Sequence, residues 1–348
     1  MSPTRRERHA DTGPAAKHRA VPAPREPGDT PPGSAPRHAL PSRLRPRAYP
    51  PGTRLPALTA AAVLAAACAV GSGFLLYQLF GHARAFPAAT ALAAALGLAT
   101  LAFGFWILRR IRPGGAPDTP AAAVAVATGL TAATSAGIVA NGGLGALWST
   151  LLGLEFSGVW GASLTAPLNE ELLKLSGIVL VALVFPHALR APVDGFVLGA
   201  LVGLGFEVTE NLIYALQSVT WSGATDPVLT ALQSTVVRVG LTGLGSHWAM
   251  SAVAGTAVGL LAAADWRPSR RRAAGAALLV LLAMGQHWLL DSPFLQGGVL
   301  TVLVKVLLIF AATMAVYAAA RTAYLRRVRR IPAAEAPSAP ERERDDTV

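Results

Sequence analysis

Long apolar stretches alternate with short polar ones through the middle of this sequence, from about Leu58 to Tyr324. A helix of roughly 20 apolar residues is long enough to cross the hydrocarbon core of a bilayer. Eight stretches of about that length occur, at residues 57–80, 86–108, 120–140, 165–186, 194–217, 239–263, 273–292 and 298–322. The pattern therefore predicts an all-α fold, a polytopic membrane helix bundle with about eight transmembrane helices.

Residues 141–163, between the third and fourth stretches, fit this scheme less simply. Their glycines, together with Trp148 and Trp160, predict an interfacial or re-entrant helix, and a ninth span is the alternative. Basic residues collect on the cytoplasmic side of membrane proteins. With eight spans and a cytoplasmic N-terminus the arginine clusters fall on that side, with Arg84 as the clear exception, whereas a ninth span would reverse the last three clusters. We therefore expect a multi-pass protein of the cell membrane with both termini in the cytoplasm.

The composition agrees with a membrane protein and locates the net charge. Hydrophobic residues form 53% of the chain and charged residues 14%, which excludes an ordinary soluble domain of this length. The formal net charge of +11 lies outside the apolar stretches, so we interpret it as a topology signal and expect the lipid bilayer, not nucleic acid, as the partner. The expected domains are a disordered, basic, Pro/Arg-rich cytoplasmic tail at 1–55, a transmembrane domain at 56–325 and a disordered C-terminal tail at 326–348.

Ionisable side chains inside the apolar stretches are the candidates for chemistry. Each costs roughly 2.5 to 3.5 kcal/mol at the centre of a membrane helix, so those that remain are usually paired and line a wet cavity. They are Glu170, Glu171, Lys174, Glu207, Glu210, His247, His287 and Asp291. In the eight-span orientation four helices bring them to a similar level near the extracytoplasmic face, which predicts one site built from residues 165–292.

The two adjacent glutamates of the fourth stretch precede a lysine by less than two helical turns. Glu170 and Lys174 are four residues apart with the acid first, which allows a supporting ion pair. Glu171 lies about 100° away around the helix. The alternative is that both acids only interact with the positive end of a helix dipole after Pro167, with Thr165 as the cap.

Glycines at every fourth position form a stripe along the fifth stretch, on which another helix can pack closely. The stripe consists of Gly195, Gly199 and Gly203. Glu207 and Asn211 continue it, with Glu210 and Tyr214 beside it, so these side chains are expected to lie inside the bundle. A purely structural interhelical hydrogen bond remains an alternative for Asn211 and Tyr214.

Two histidines complete the set. His287 precedes Asp291 by one helical turn, so the acid can accept from one ring nitrogen and leave the other for a metal or a substrate. Together with His247 and the glutamates, these are ligands that suit a zinc-like ion with an open position for water. A nearby glutamate can take a proton from that water and deliver it to a leaving amine, which is the chemistry of hydrolysis.

Four motifs follow one another on successive helices: Glu170-Glu171-Leu172-Leu173-Lys174, Gly205 through Glu210-Asn211 to Tyr214, His247, and His287 to Asp291. At these residues the chain resembles the PrsW family of intramembrane proteases, which are related to the CAAX prenyl-protein endopeptidases. The resemblance covers about residues 119–322. It implies an endopeptidase that cuts a single-pass membrane protein near its extracytoplasmic side, in the founding case an anti-sigma factor.

The chain departs from the related families at two positions. CAAX endopeptidases typically have Arg four residues after the second Glu, whereas here Lys174 comes three residues after Glu171. This favours the PrsW branch over prenylated substrates. Glu207 is not expected from the family pattern, and its role stays open.

The leading hypothesis is an intramembrane metal-dependent endopeptidase. Glu170 or Glu171 would be the general base, and Asn211 would hold the oxyanion. The ligands of the divalent metal, expected to be zinc, would be His247 and His287, with Glu210 as third ligand or water-orienting acid. The supporting residues are Lys174, Asp291 and Tyr214.

Other functions fit the same ionisable residues. A water activated by glutamate, with histidines as oxyanion donors, would need no metal. A proton-coupled transporter also uses acids and histidines within a membrane, although no internal repeat of the kind common in transporters is visible between the halves of this chain. A non-catalytic membrane scaffold is the third possibility.

Overall fold

Helices account for almost all of the chain described by the computed structural model, which covers residues 54–115, 117–294 and 298–329, and no strand occurs among these residues. The helices are α1 (Arg54–Ala85), α2 (Pro87–Arg110), α3 (Thr119–Ala127), α4 (Thr134–Leu152), α5 (Leu154–Val184), α6 (Pro192–Trp221), α7 (Pro227–Val237), α8 (His247–Ala262), α9 (Arg270–Asp291) and α10 (Val299–Arg329). The predicted all-α bundle is confirmed.

Two of the long helical stretches are interrupted by turns of different pitch. A π-helical turn, Thr128–Ala133, joins α3 to α4, so that the stretch from Thr119 to Leu152 is continuous. A second π-helical turn, Arg238–Thr242, and a short 3₁₀ turn, Gly243–Gly245, join α7 to α8. π-helical turns are rare and occur frequently at functional sites.

Seven helical stretches within the described residues are long and apolar enough to cross a membrane. The remaining predicted span, the fourth at 165–186, corresponds to α5, which has 31 residues but carries Glu155, Glu170, Glu171 and Lys174. Helix α5 is long enough to cross a membrane, but these charged residues make it less apolar than the other seven stretches.

The segment 141–163, predicted as an interfacial or re-entrant helix with a ninth span as the alternative, is not a single separate helix. Helix α4 continues through Asn141 to Leu152, and α5 begins at Leu154. Gly153 ends α4 because it adopts a φ of +88°, a conformation that favours glycine. The two helices form a hairpin, with Ser149 Oγ donating to Ser157 Oγ at 2.9 Å near its tip. Residues 141–163 thus extend two long helices instead of forming a separate one.

The predicted tails lie mostly outside the described residues. Helix α1 begins at Arg54 and α10 ends at Arg329, so each helix passes the predicted domain boundaries at 55 and 325 by a few residues.

Basic residues gather at one end of the bundle. There Arg112 Nε lies 2.6 Å from Asp194 Oδ1, which joins the end of α2 to the start of α6. Tyr317 Oη of α10 donates to the carbonyl oxygen of Ile111 at 2.5 Å, and His187 Nε2 after α5 lies 3.2 Å from Asp118 Oδ2 before α3. The end of α5 and the start of α6 therefore lie at the same end of the bundle as the end of α2 and the start of α3. This is expected if α5 crosses the bundle like its neighbours.

Helix α6 is the centre of the bundle, and its predicted glycine stripe packs on α8. A Cβ atom at Gly195, Gly199 or Gly203 would collide with backbone atoms of α8. Such close approach of two backbones is what small residues permit in membrane helices. It places the acidic end of the stripe, Glu207 and Glu210, beside the first residue of α8, His247.

Candidate active site

The ionisable side chains predicted to share one site come together between α5, α6, α8 and α9. Most are almost fully buried, and they contact one another directly. Exposure rises in one direction, because the side chain of Lys174 is fully buried whereas 17% of Glu210 and 25% of Asp291 are exposed. The cluster is therefore closed around Lys174 and more open at Glu210 and Asp291.

Lys174 lies at the closed side and contacts three polar neighbours. Its Nζ atom is 2.6 Å from Glu171 Oε1, 3.0 Å from His247 Nδ1 and 3.7 Å from Glu170 Oε2. It also lies 4.4 Å from the centroid of the Phe206 ring. The ion pair predicted from the four-residue spacing is thus the longer one, and the shorter pair is formed with Glu171 three residues away. Both carboxylates turn towards the lysine because α8 and α9 close this side of α5.

His287 is held at both ring nitrogens. Its Nδ1 atom lies 2.9 Å from Glu171 Oε1, and its Nε2 atom lies 3.3 Å from Asp291 Oδ2 and 3.8 Å from Glu170 Oε2. The contact with Asp291 agrees with the one-turn spacing, but the shorter partner is Glu171 on a different helix. Nε2 is therefore the nitrogen of His287 that is directed towards Glu170.

His247 is also contacted on both sides of its ring. Its Nε2 atom lies 2.8 Å from Glu210 Oε2, and its Nδ1 atom lies 3.8 Å from Glu170 Oε2. The rings of His247 and His287 meet edge to face with centroids 5.1 Å apart. The two imidazoles and Glu170 thus surround one small space.

Glu170, His247 and His287 fit a divalent metal ion. Each offers one ligand atom, and these atoms all lie within 4.8 Å of one another. Glu170 Oε2 is buried without a hydrogen-bond partner among the described residues, so its lone pairs are available to a metal ion. Ligands of tetrahedral zinc stand roughly 3.4 Å apart, close to the 3.8 Å between Glu170 Oε2 and each imidazole nitrogen. The Lys174 ammonium contacts the same Nδ1 atom of His247, so an ion at this nitrogen requires that contact to be given up.

This group differs from the predicted ligand set in its carboxylate. Glu210, predicted as the third ligand, lies at the opposite ring nitrogen of His247 and contacts Arg238, with Oε2 2.5 Å from Arg238 Nη2. Glu170, predicted only as a candidate base, is the acid that approaches both imidazoles. Which acid a histidine meets depends on the rotation of each helix, which spacing within one helix does not specify.

Three polar residues at the site were not predicted from the sequence. Arg238 contacts Glu210 and also donates from Nε to Asn211 Oδ1 at 2.6 Å. Asn141 of α4 donates to Glu170 Oε1 at 2.8 Å, and Asn169 donates to Asn141 Oδ1 at 3.2 Å. A signal existed for Arg238, which is a lone basic residue within an apolar helical stretch.

The remaining predicted residues lie around this centre. Asn211 is buried, and because Arg238 donates to its carbonyl oxygen, its amide nitrogen is the end that remains for another acceptor. The Tyr214 ring lies under the Arg238 guanidinium at 4.1 Å. Glu207 is buried near Ser246 at the start of α8, and its Oε2 has no hydrogen-bond partner within the described part of the chain.

The family model of the PrsW family intramembrane metalloprotease matches residues 118–319, which is more than half of the chain and includes every site residue named above. The chain belongs to the PrsW family of intramembrane metalloproteases. No match was found among curated proteins or among solved structures.

PrsW membership confirms the resemblance drawn from the four motifs and makes the protein a hydrolase of the membrane. The family implies a metal and a membrane protein as substrate, and the buried Glu170, His247 and His287 are residues that could bind the metal. Membership in a protease family also favours the endopeptidase over the transporter and the scaffold considered above.

Proposed function

We propose that this PrsW-family protein hydrolyses a peptide bond of a single-pass membrane protein, such as an anti-sigma factor, near the extracytoplasmic side of the membrane. The observation that carries the proposal is the buried carboxylate of Glu170, whose unpartnered oxygen lies 3.8 Å from a nitrogen of each of two imidazoles. This is the donor set of a hydrolytic centre and not of a packing contact.

Glu170, His247 and His287 would hold a divalent ion, with zinc as the expected choice for two nitrogens and one oxygen. When bound, such an ion polarises the substrate carbonyl and makes a bound water a better nucleophile at neutral pH. Glu171 would be the base, since its Oε2 atom is buried without a hydrogen-bond partner among the described residues.

Glu171 would take the proton of the attacking water and return it to the leaving amine. Lys174 and His287 hold its other oxygen, at 2.6 and 2.9 Å, and so keep the carboxylate in place. The amide nitrogen of Asn211 would donate to the carbonyl oxygen as it gains charge.

The depth of the site supports cleavage in the outer half of the membrane. Glu170 precedes the end of α5 at Val184 by about 14 residues, and Glu210 follows the start of α6 at Pro192 by about 18. At 1.5 Å per residue, these distances are about 21 and 27 Å from the arginine-rich end, in a hydrocarbon core about 30 Å thick. If the arginine-rich end is cytoplasmic, the site lies beyond the midplane.

The test is cleavage of candidate single-pass regulators by the purified protein reconstituted in liposomes. We expect Glu170→Gln, Glu171→Gln and His247→Ala each to lower cleavage at least about 1,000-fold while membrane insertion is retained. Glu155→Gln is the matched control, because Glu155 belongs to the same helix α5 but is exposed and remote from the cluster. Full cleavage by all three site variants would refute the proposal.

Metal analysis separates the two hydrolytic mechanisms. If Glu170 is a ligand, both Glu170→Gln and His287→Ala should lose bound metal relative to the wild type, and a chelator should stop cleavage reversibly. If wild type purified without chelator contains no stoichiometric metal yet cleaves, Glu170 is instead the base and the two imidazoles are hydrogen-bond donors to the oxyanion.

A further inference from the structure

Arg238 occupies an unusual position for a basic residue. It is the first residue of the π-helical turn Arg238–Thr242, within the long apolar stretch Pro227–Ala262. Charged residues within apolar membrane stretches are rare and usually paired, and π-helical turns occur frequently at functional sites. Both features indicate that this residue has a role beyond packing.

The guanidinium group of Arg238 contacts three side chains of α6 at once. Nη2 lies 2.5 Å from Glu210 Oε2, and Nε lies 2.6 Å from Asn211 Oδ1. The carbon of the guanidinium lies 4.1 Å from the centroid of the Tyr214 ring. A planar group with several fixed donors can make all these contacts together, whereas the single ammonium of lysine cannot.

These contacts determine which nitrogen of His247 carries the proton. Glu210 Oε2 accepts from Arg238, which is always a donor, so the carboxylate presents an acceptor to His247 Nε2 at 2.8 Å. Nε2 must then be the donor. On the other side of the ring, Lys174 Nζ at 3.0 Å has only protons to donate, so Nδ1 must be the acceptor. Two independent neighbours thus require the same tautomer.

We infer that Arg238 is a positioning residue of the proteolytic site, which fixes Glu210 and, through Glu210, holds the His247 ring with Nδ1 on the side of Lys174 and Glu170. This inference rests on the proposed function in one respect, namely that Nδ1 lies at the reacting centre. Without Arg238, Glu210 keeps only its contact with His247, so the carboxylate and the imidazole that it contacts are no longer held at one position.

The first experiment measures cleavage kinetics. We expect Arg238→Gln to lower kcat roughly 10- to 100-fold, the usual effect of removing a partner that orients a ligand, with KM changed less than about threefold. Arg238→Lys should not restore the rate, because lysine keeps the positive charge but lacks the several fixed N–H donors of the planar guanidinium. Added guanidinium should partly rescue Arg238→Ala, since 27% of the Arg238 side chain is exposed in the wild type. Arg84→Gln is the matched control, because Arg84 also follows an apolar stretch but lies outside the site.

The second experiment needs no substrate. Nitrogen NMR of ¹⁵N-histidine-labelled protein in detergent should show His247, assigned with His247→Asn, protonated at Nε2 in the wild type. Arg238→Gln should keep this tautomer, because Lys174 still donates to Nδ1, but should shift or broaden the Nε2–H signal, because Glu210 is no longer held at one position beside it. Thermal unfolding of both proteins checks that the variant is folded.

Two results would overturn the inference. One is an unchanged Nε2–H signal of His247 in folded Arg238→Gln, since any loss of cleavage would then come from another cause. The other is an unchanged kcat in the same variant. If the wild type itself cleaves no substrate, the proposed function fails, but the NMR comparison still tests the link from Arg238 to His247.

Discussion

Lys174 shows how a charged side chain can persist in the middle of a membrane helix. It is fully buried, yet Glu171, Glu170 and His247 lie within 4 Å of its ammonium group, and the Phe206 ring covers it. An unpaired ion in this position would be costly, whereas a paired and hydrogen-bonded ion is tolerated. The lysine therefore supports the acids structurally and limits their movement.

Loss of the lysine should destabilise the protein more than loss of the pair. Lys174→Met leaves Glu171 buried without its cation, and we expect a decrease of about 3 to 5 kcal/mol in the free energy of unfolding. The double variant Lys174→Met with Glu171→Gln should recover much of that loss, because the carboxylate closest to the lysine is then neutral. Thermal and denaturant unfolding in detergent measures both. Equal destabilisation of the single and the double variant would contradict this account.

Asn141 should influence cleavage through Glu170. Its amide donates to Glu170 Oε1 at 2.8 Å, which leaves Oε2 directed towards the imidazoles. A hydrogen bond to a charged group contributes about 1.5 to 3 kcal/mol, so Asn141→Ala should lower kcat roughly 10- to 100-fold. Asn169→Ala removes only the neighbouring amide contact and should have a smaller effect. The test compares the kcat values of the two variants in the liposome assay. A larger decrease for Asn169→Ala would contradict the prediction.

Helices α6 and α8 form the contact on which the site depends most. The glycines of α6 let the two backbones approach until the carboxylate of Glu210 reaches His247 at the first residue of α8. Small residues are needed here because they allow a short distance between the two helices, and not because they make the backbone flexible. The packing of this pair and the geometry of the site are therefore linked.

An added methyl group at this contact should disturb stability and activity together. A Cβ atom at Gly199 would collide with the backbone carbonyl of Ser251, so Gly199→Ala should cost about 1 to 3 kcal/mol of stability and reduce cleavage. Gly275→Ala on α9 is the control, because its Cβ atom would meet nothing within 4 Å. Unfolding midpoints and cleavage rates are compared for both. A Gly199→Ala protein as stable as the control would show that the contact is looser than described.

The molecule as a whole presents apolar side chains outwards and polar ones inwards. Leu76, Leu98 and Leu300 are at least 65% exposed on α1, α2 and α10, whereas the ionisable cluster is enclosed. Such an outer surface would lead to aggregation in water but is matched by lipid. The arginine-rich end is then expected at the cytoplasmic leaflet, with the hairpin tip at Gly153 on the opposite side.

Accessibility of introduced cysteines tests that orientation. In a background with Cys68 replaced by alanine, Thr225→Cys, in the exposed loop after α6, should react with a membrane-impermeant thiol reagent added to intact cells. Ser269→Cys, at the start of α9, should react only after the membrane is permeabilised. The reverse labelling pattern would place the site near the cytoplasmic face and contradict cleavage on the extracytoplasmic side.

Local properties of the chain were sufficient to predict the helical class, the apolar spans and the membership of the site. Apolar length and a charge inside an apolar stretch can be recognised without knowledge of any distant contact, which is why Glu170, Glu171, His247 and His287 were found together. The division of residues 141–163 between two long helices was not predicted, because it depends on the positive φ of one residue, Gly153.

The contacts between distant segments required the folded bundle. Glu171 and His287 meet at 2.9 Å although 116 positions separate them, and Arg238 reaches Glu210 from a turn 28 positions away. Spacing along one helix specifies which residues share a face, but not which face of another helix they meet. Glu170, and not Glu210, lies between the two imidazoles because of how the helices are rotated and packed. The spacing of residues along the sequence does not predict that rotation.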